Sequence, residues 1–360
     1  MTRLLRNTLL ALLILAALLW VLVYNLTWHP DPVAKQTGLC TAQAPSLIPG
    51  QALKVMTWNV QYLAGKRYVF WYDLPDGSGP DERPTPEDLA YNLDEVVRVI
   101  RAEEPDIVLL QELDDGAKAS DYQDQLALLR ERLVDLYPCA AQAFDWKADF
   151  MPNLHIFGSV GRKLATLSRF QIKQAERLQL PEAAGNPLQT PFEPKRALLI
   201  SYLPLRDGGQ VAVLNTHLDG YSPGRDTQQQ QLQAIARQVD TLESQGTPWI
   251  LGGDFNALPL GQFQRLTPAL QARFAADSDL HLLWDKYPMI PTNSEAAGED
   301  REDWLTHYPN DPAAKGPERT LDYLLYSPRI KRVEAQVRQE DTLEISDHLP
   351  LTARFLLPAP

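Results

Sequence analysis

Apolar positions fall along this chain in three different patterns. From Leu9 to Tyr24 they form an unbroken run, LLALLILAALLWVLVY, and no charge appears between Arg6 and Asp31. Further on they recur at helical spacing. Leu89, Leu93, Val96, Val97 and Ile100 would share one helix face, with Thr85 as its cap and Pro86 in its first turn. A second helix is expected over about 121–137, carrying Leu126, Leu129, Leu133 and Leu136, and a third over 226–244, carrying Leu232, Ile235, Val239 and Leu242. The remaining apolar runs have strand length: 53–59, 106–111, 163–168, 196–203, 210–216, 248–253, 320–326, 331–338 and 349–356.

The first pattern reads as a membrane helix, residues 1–28. At about 1.5 Å per residue the uncharged stretch 7–30 reaches roughly 36 Å, enough for a hydrocarbon core of about 30 Å. Trp20, Tyr24 and Trp28 suit the membrane interface, and Arg3 and Arg6 hold the N-terminus in the cytoplasm with the rest outside. In a bacterium that is an inner-membrane protein facing the periplasm. A cleaved signal peptide is the alternative, but its best cleavage candidate, Ala42-Gln43-Ala44, lies far from the run and precedes Pro45. Residues 29–51, with Pro30, Pro32, Pro45 and Pro49, read as a linker, and 52–358 as one domain. Strands mixed with helices predict stacked sheets with helices outside, an α/β (α+β) fold. Cys40 and Cys139 suit an oxidising compartment, either paired or as two free thiols.

Composition changes this picture little. Over 360 residues, 44% hydrophobic and 22% charged, the chain is ordinary for a globular enzyme and unlike a disordered or coiled-coil one. The net charge of −12 argues against non-specific binding to a phosphate backbone. A bound divalent cation would reverse that sign locally. Nothing in the sequence calls for an obligate protein partner.

Polar residues gather where the strand runs end. They are Thr57-Trp58-Asn59-Val60, Gln111-Glu112, Asn215-Thr216-His217-Leu218-Asp219, Gly252-Gly253-Asp254-Phe255-Asn256, Thr320-Leu321-Asp322-Tyr323 and Ser346-Asp347-His348. Singly each has a structural explanation: an Asx turn for Asp254 and Asn256, a helix cap for Asp347, a core position for His217. Together, hard oxygen ligands suited to Mg²⁺ or Mn²⁺ and two histidines near acids point to metal-assisted hydrolysis at phosphorus. The chain has no Lys-Ser/Thr phosphate loop and no Gly-x-Ser-x-Gly elbow, which disfavours nucleoside-triphosphate hydrolysis of that type and an α/β-hydrolase esterase.

The ordered series TWNV, LLQELD, NTHLD, GGDFNA, TLDYLLYS and SDHLPL resembles the endonuclease/exonuclease/phosphatase superfamily over residues 52–357. The resemblance implies a DNase I-like four-layer α/β sandwich with two central mixed sheets. It implies Glu112, Asn59 and Asp347 as Mg²⁺ ligands, and Asp254 and Asn256 as positioning the attacking water and the phosphoryl oxygens. His348 would be general base or stabilise phosphoryl charge, with Asp322 orienting its ring, and His217 would be general acid. Gln61 stands where abasic-site endonucleases have an acid, so the resemblance implies no second metal contact there, whereas His217, where those enzymes have a different residue, moves it toward the DNase I and sphingomyelinase branches. Arg319 and Lys315 are candidates to meet substrate phosphate. Aromatics in 62–84 and 144–157 suit either a hairpin core or a lipid interface. The expected activity is that of a membrane-anchored, Mg²⁺-dependent phosphoric ester hydrolase acting on a phospholipid or lipid headgroup. The alternatives are an extracytoplasmic endonuclease acting on nucleic acid, and a non-catalytic module on the same fold.

Overall fold

The apolar runs of strand length pair into two sheets, because each has one face that must be covered. The computed structural model describes residues 3–36, 39–41, 43–74 and 76–359. Numbered in chain order, the strands are β1 (Val33–Gln36), β2 (Leu39–Cys40), β3 (Ala52–Asn59), β4 (Ile107–Asp114), β5 (Cys139–Met151), β6 (Gly158–Ser168) and β7 (Gln174–Gln179). They continue as β8 (Ala197–Pro204), β9 (Gln210–His217), β10 (Trp249–Asp254), β11 (Met289–Ile290), β12 (Asp322–Tyr326), β13 (Lys331–Val337) and β14 (Leu351–Leu356). One sheet has the order β1-β7-β8-β9-β10-β12-β11 and the other β13-β14-β3-β4-β6-β5-β2. Only β9–β10 and β3–β4 pair in parallel among the described residues, so both sheets are mixed.

The inner faces meet through Val55, Leu109, Leu164, Val213, Ile250, Leu324 and Ala353. Helix α4 (Thr227–Ser244) covers the outside of the first sheet through Leu232, Ile235 and Val239. Helices α2 (Pro86–Glu103) and α3 (Gln125–Leu133) cover the second. This is the expected four-layer sandwich. Thr85 caps α2 as expected, its hydroxyl accepting from the Asp88 amide.

Three stretches differ from the sequence reading. The second helix is shorter than 121–137, because Asp121 and Tyr122 take positive φ and Asp124 becomes the cap. Strands β5 and β7 were not expected. The first is alanine-rich and the second, QAERLQ, is largely polar, so neither shows strand propensity. Within 29–51, expected as a linker, β1 pairs with β7 and Leu47 is fully buried in the inter-sheet core. Cys40 bonds to Cys139, with Cα atoms 4.0 Å apart. Extended, proline-flanked chain suits a sheet edge, where missing N–H groups cost nothing.

The apolar N-terminal run is a helix, α1 (Arg3–Leu26), long and apolar enough to cross a membrane. It joins the body without slack. Val23 and Leu26 pack against Ala148, Met151, Val160 and Phe192. Thr27 forms a β-bridge with Ala148, and the Trp28 ring lies 4.8 Å under the Arg177 guanidinium.

Candidate active site

Strand direction explains why the polar motifs meet. The parallel pairs β3–β4 and β9–β10 end at the same edge of the sandwich where β12 and β14 begin. Asn59, His217 and Asp254 are the last residues of their strands, and Asp322 is the first of its own. Asp347 and His348 lie just before β14, separated from it by Leu349 and Pro350. Glu112 arrives differently. The β4–β6 register slips between Leu110 and Leu113, and Glu112 takes φ +55°, turning its side chain into the cleft while Gln111 stays between the sheets. There the Gln111 amide donates to Asn215 Oδ1 at 2.7 Å, a buried polar tie between the two sheets.

Backbone exceptions concentrate here. Gly253 has φ +150°, and a Cβ on it would stand 2.0 Å from the Thr216 carbonyl oxygen. One residue earlier, a Cβ on Gly252 would meet Leu109 and Leu324 at 2.8 Å. The Gly-Gly pair therefore lets β10 approach β9 and the facing sheet just before Asp254. Asn256 has φ +48°, which asparagine tolerates. Gln61, Tyr62 and Leu63 form a left-handed turn, φ +44°, +40° and +59°, where the chain leaves β3 for the 62–84 insertion. Such strain, roughly 1–2 kcal/mol per residue, persists where surroundings enforce it. Here Gln61 is buried and its Oε1 accepts from the Asp347 amide at 3.3 Å.

The cleft encloses about 330 Å³. Its walls include Asn59, Glu112, His217, Asp254, Asn256, Asp347, His348 and Arg319, all foreseen. Asp322 stands behind them. Its Oδ2 and His348 Nδ1 share a hydrogen bond of 2.7 Å, which fixes the ring and turns Nε2 toward Asp254 Oδ2, 3.5 Å away. His217 Nε2 lies 3.4 Å from the same oxygen, and Asn59 Nδ2 donates to it at 3.1 Å. Asp254 Oδ1 accepts from the Asn256 amide at 2.9 Å. Two imidazoles thus flank one carboxylate. Lys315 is exposed and is not part of the cleft wall, so the phosphate contact expected of it is not formed by this geometry. Arg319 is buried, and its Nη2 faces His307 Nδ1 at 3.1 Å.

Sequence reasoning missed several participants. Arg162 Nη1 donates to Glu112 Oε1 at 3.1 Å, and Arg196 Nη1 to the fully buried Asp145 at 2.9 Å. His307, Arg273, Phe274, Tyr72 and Asp73 also line the cleft. The signal that marked Asp322, an ionic residue inside a strand, applies equally to Asp145 and Arg162.

Crowding sets the protonation states. Burial raises the Asp254 carboxyl to about 7, with Asp322 adding repulsion against the pull of His348. Burial and then Asp347 raise Asp73 to about 7. Glu112 and Asp347 are likewise raised, burial first. For His348 burial opposes the charge, yet Asp322, Asp254 and Asp347 outweigh it and the ring is held protonated. Burial, then Arg196 and Arg162, holds His217 neutral. Of the two roles expected of His348, a charged ring suits stabilising the phosphoryl group rather than accepting a proton, and a neutral His217 has no spare proton to hold as a charged acid. The chain's own electrostatics put the proton on His348.

Four crowded carboxyls around one cleft are a set that a divalent cation would relieve, and their oxygens, with Asn59, are hard donors. Ligating atoms of His307, Asp347 and His348, and of Asp254, Asp322 and His348, lie within 4.8 Å of one another. In the second cluster His348 Nδ1 is already engaged by Asp322, so that nitrogen is not free for a metal. Glu112 and Asn59 fall in neither cluster, but both face the same cleft as Asp347. The donor chemistry fits a hard divalent cation.

Residues 56–348 match the model of the Endonuclease/Exonuclease/phosphatase family. The chain belongs to this family. Its members are phosphoester hydrolases, and this family hydrolase shares their fold with solved structures of low identity. One is an endonuclease/exonuclease/phosphatase from Beutenbergia cavernae, 22% identical, TM-score 0.58, covering 86% of this chain and 72% of that one. Another is the human Nocturnin catalytic domain, 18% identical, TM-score 0.54, covering 89% and 96%. ANGEL2, a 2',3'-cyclic phosphatase, is 16% identical at TM-score 0.56, covering 91% and 99%. Among curated protein sequences none matches this chain.

Proposed function

We propose that this family member is a membrane-anchored, divalent-metal-dependent phosphoester hydrolase acting on a phospholipid or its headgroup. The observation that carries the substrate class is the direct seating of α1 on the body, through the Thr27–Ala148 bridge and the Trp28–Arg177 contact. A site held that close to a bilayer meets its lipids at high effective concentration. The cleft itself supports a small headgroup. Apart from histidines, its basic wall residues among those described are Arg273 and Arg319, too few to track a polynucleotide backbone. A cavity of about 330 Å³ suits a compact phosphoester. The Cys40–Cys139 bond supports an oxidising location outside the cytoplasm.

Glu112, Asn59 and Asp347 would hold the cation. When bound it would polarise a phosphoryl oxygen and lower the cost of charge developing there. Asp254, with Asn59 and Asn256 on its two oxygens, orients the attacking water. His348, locked by Asp322, carries a proton on the side of the ring that faces the cleft and stabilises the phosphoryl group. His217, on the other side of Asp254, positions that carboxylate and faces the leaving oxygen. Arg319 and Arg273 neutralise the remaining phosphate charge.

The test uses the full chain in lipid vesicles with Mg²⁺, following phosphorus species by NMR. New phosphate-containing products, absent in His348→Ala and abolished by a chelator, are expected. An unchanged lipid spectrum alongside metal-dependent nicking of plasmid DNA would replace this reading with an endonuclease.

A further inference from the structure

The two strands of the β5–β6 hairpin run past the active-site edge. Leu113 and Asp114 of β4 pair with Lys163 and Arg162, and β4 ends there. Across the hairpin, Phe144 pairs with Lys163 and Trp146 with Arg162, yet pairing continues to Met151 with Gly158. The hairpin thus projects about 15–20 Å beyond the level of Glu112, on the side where the cleft opens.

That projecting part is also where α1 is seated. Thr27 bridges Ala148, and Val23 and Leu26 share a cluster with Met151, Trp146 and Ile156. Val23 belongs to the last turn of the apolar helix, at the depth where Trp20 and Tyr24 mark an interface. Side chains packed on that turn lie at the same depth. The tip beyond them exposes Leu154 (88%) and Phe157 (55%), with Phe150 stacked edge-on against Phe157 at 5.0 Å. Its backbone is ordered, with the Ile156 and Phe157 amides donating to the Asn153 carbonyl.

The tip is fastened to the cleft wall. The His155 ring stacks on Trp71 at 5.2 Å, and its Nδ1 pairs with Asp81 at 2.5 Å. Tyr72 and Asp73, next to Trp71, line the cleft.

We propose that the hairpin tip, residues 149–157, is a second membrane contact that sits in the interface of the bilayer crossed by α1 and aims the cleft at that surface. The proposal rests on the anchored reading above and specifies how the body lies on its membrane. Leu154 and Phe157 enter the headgroup–acyl boundary, where apolar and aromatic side chains are favoured. Because the tip is fastened to the Tyr72–Asp73 wall through His155, Trp71 and Asp81, its depth sets the height of the cleft above the surface.

The test places an environment-sensitive nitrobenzoxadiazole label on the full chain in phosphatidylcholine–phosphatidylglycerol vesicles. Both native cysteines are bonded, so Leu154→Cys, Leu15→Cys and Val333→Cys each supply a single thiol. Val333 is 56% exposed on β13, the opposite edge of the same sheet. The label at 154 should be blue-shifted and quenched by doxyl lipid, and the label at 333 should not. A quenched label at 15 with a water-like label at 154 overturns the hairpin contact and leaves the anchor standing. A water-like label at 15, with the chain no longer floating with vesicles, overturns the anchor and the proposal together. A second arm compares Leu154→Asp/Phe157→Asp with the parent. Hydrolysis of vesicle lipid should fall roughly tenfold as the cleft, still tethered by α1, is no longer aimed at the surface. Hydrolysis of soluble bis(4-nitrophenyl) phosphate should hold. Equal losses on both substrates, or none on either, count against an orienting contact.

Discussion

At the scale of single residues, the site depends on what stands behind the cleft as much as on what lines it. Asp322 is fully buried, accepts no substrate and holds His348 by one hydrogen bond of 2.7 Å. Asp322→Asn keeps the shape but removes the charge that fixes the ring and its proton. A loss of about 10²–10⁴-fold in kcat, with KM little changed, is expected on a soluble phosphodiester. A KM effect of similar size would instead make Asp322 a binding residue. Residues of this kind were legible in the sequence when an acid interrupted an apolar strand or closed one, as at Asp254 and Asp322. Asp145 and Arg162 carry the same signal but lie in stretches not recognised as strands from sequence, and His307 carries none, because the meaning of an ionic residue lies in its partner. Those partners come from strands far apart in the chain, and no local spacing encodes them.

Elements place these residues by where they begin and end. The apolar runs located most of the strands and the three longest body helices to within a few residues, because burial of one face imposes a period. Strands β5 and β7 escaped because pairing on both sides, not composition, makes them strands. The glycines of β10 are a sharper case. Gly253→Ala would drive a Cβ into the Thr216 carbonyl at a φ that alanine avoids, forcing β9 and β10 apart beside His217 and Asp254. A destabilisation above about 2 kcal/mol, with activity lost in the remaining folded fraction, should appear in urea unfolding and specific-activity measurements. Between elements, Asp341 joins Arg338 to Arg98 of α2. The Arg338 hydrogen bond first, joined by that of Arg98 against the penalty of burial, holds the Asp341 carboxyl well below the usual carboxylate range. A depressed folded-state value stabilises the protein fully above the unfolded value and loses that contribution as pH falls toward the folded one. Asp341→Asn should therefore cost up to about 1 kcal/mol at pH 7, the pairs being partly solvated. The gap between parent and variant should be smaller at pH 3, as read from urea midpoints.

For the whole molecule, the question is how the apolar N-terminal helix is joined to the two-sheet body. The sequence suggested a linker between them, yet the stretch is built into the body by β1, by Leu47 and by Cys40 bonded to Cys139. That bond spans a sequence separation of 99, enclosing β3, α2, β4 and α3. Closing so long a loop removes entropy chiefly from the unfolded chain, worth about 2–5 kcal/mol. Register places it far from the chemistry. Cys139 pairs with Ser168, and Ser168 with Ile107, the first residue of β4, whereas Glu112 lies near that strand's other end. Reduction, or the double change Cys40→Ala/Cys139→Ala, should lower the unfolding free energy by that amount and leave kcat on a soluble diester within about twofold. A kcat that fell in step with stability would mean that strain at the Cys139 end of the sheet reaches the cleft. In that case the junction with α1 would be part of the catalytic scaffold.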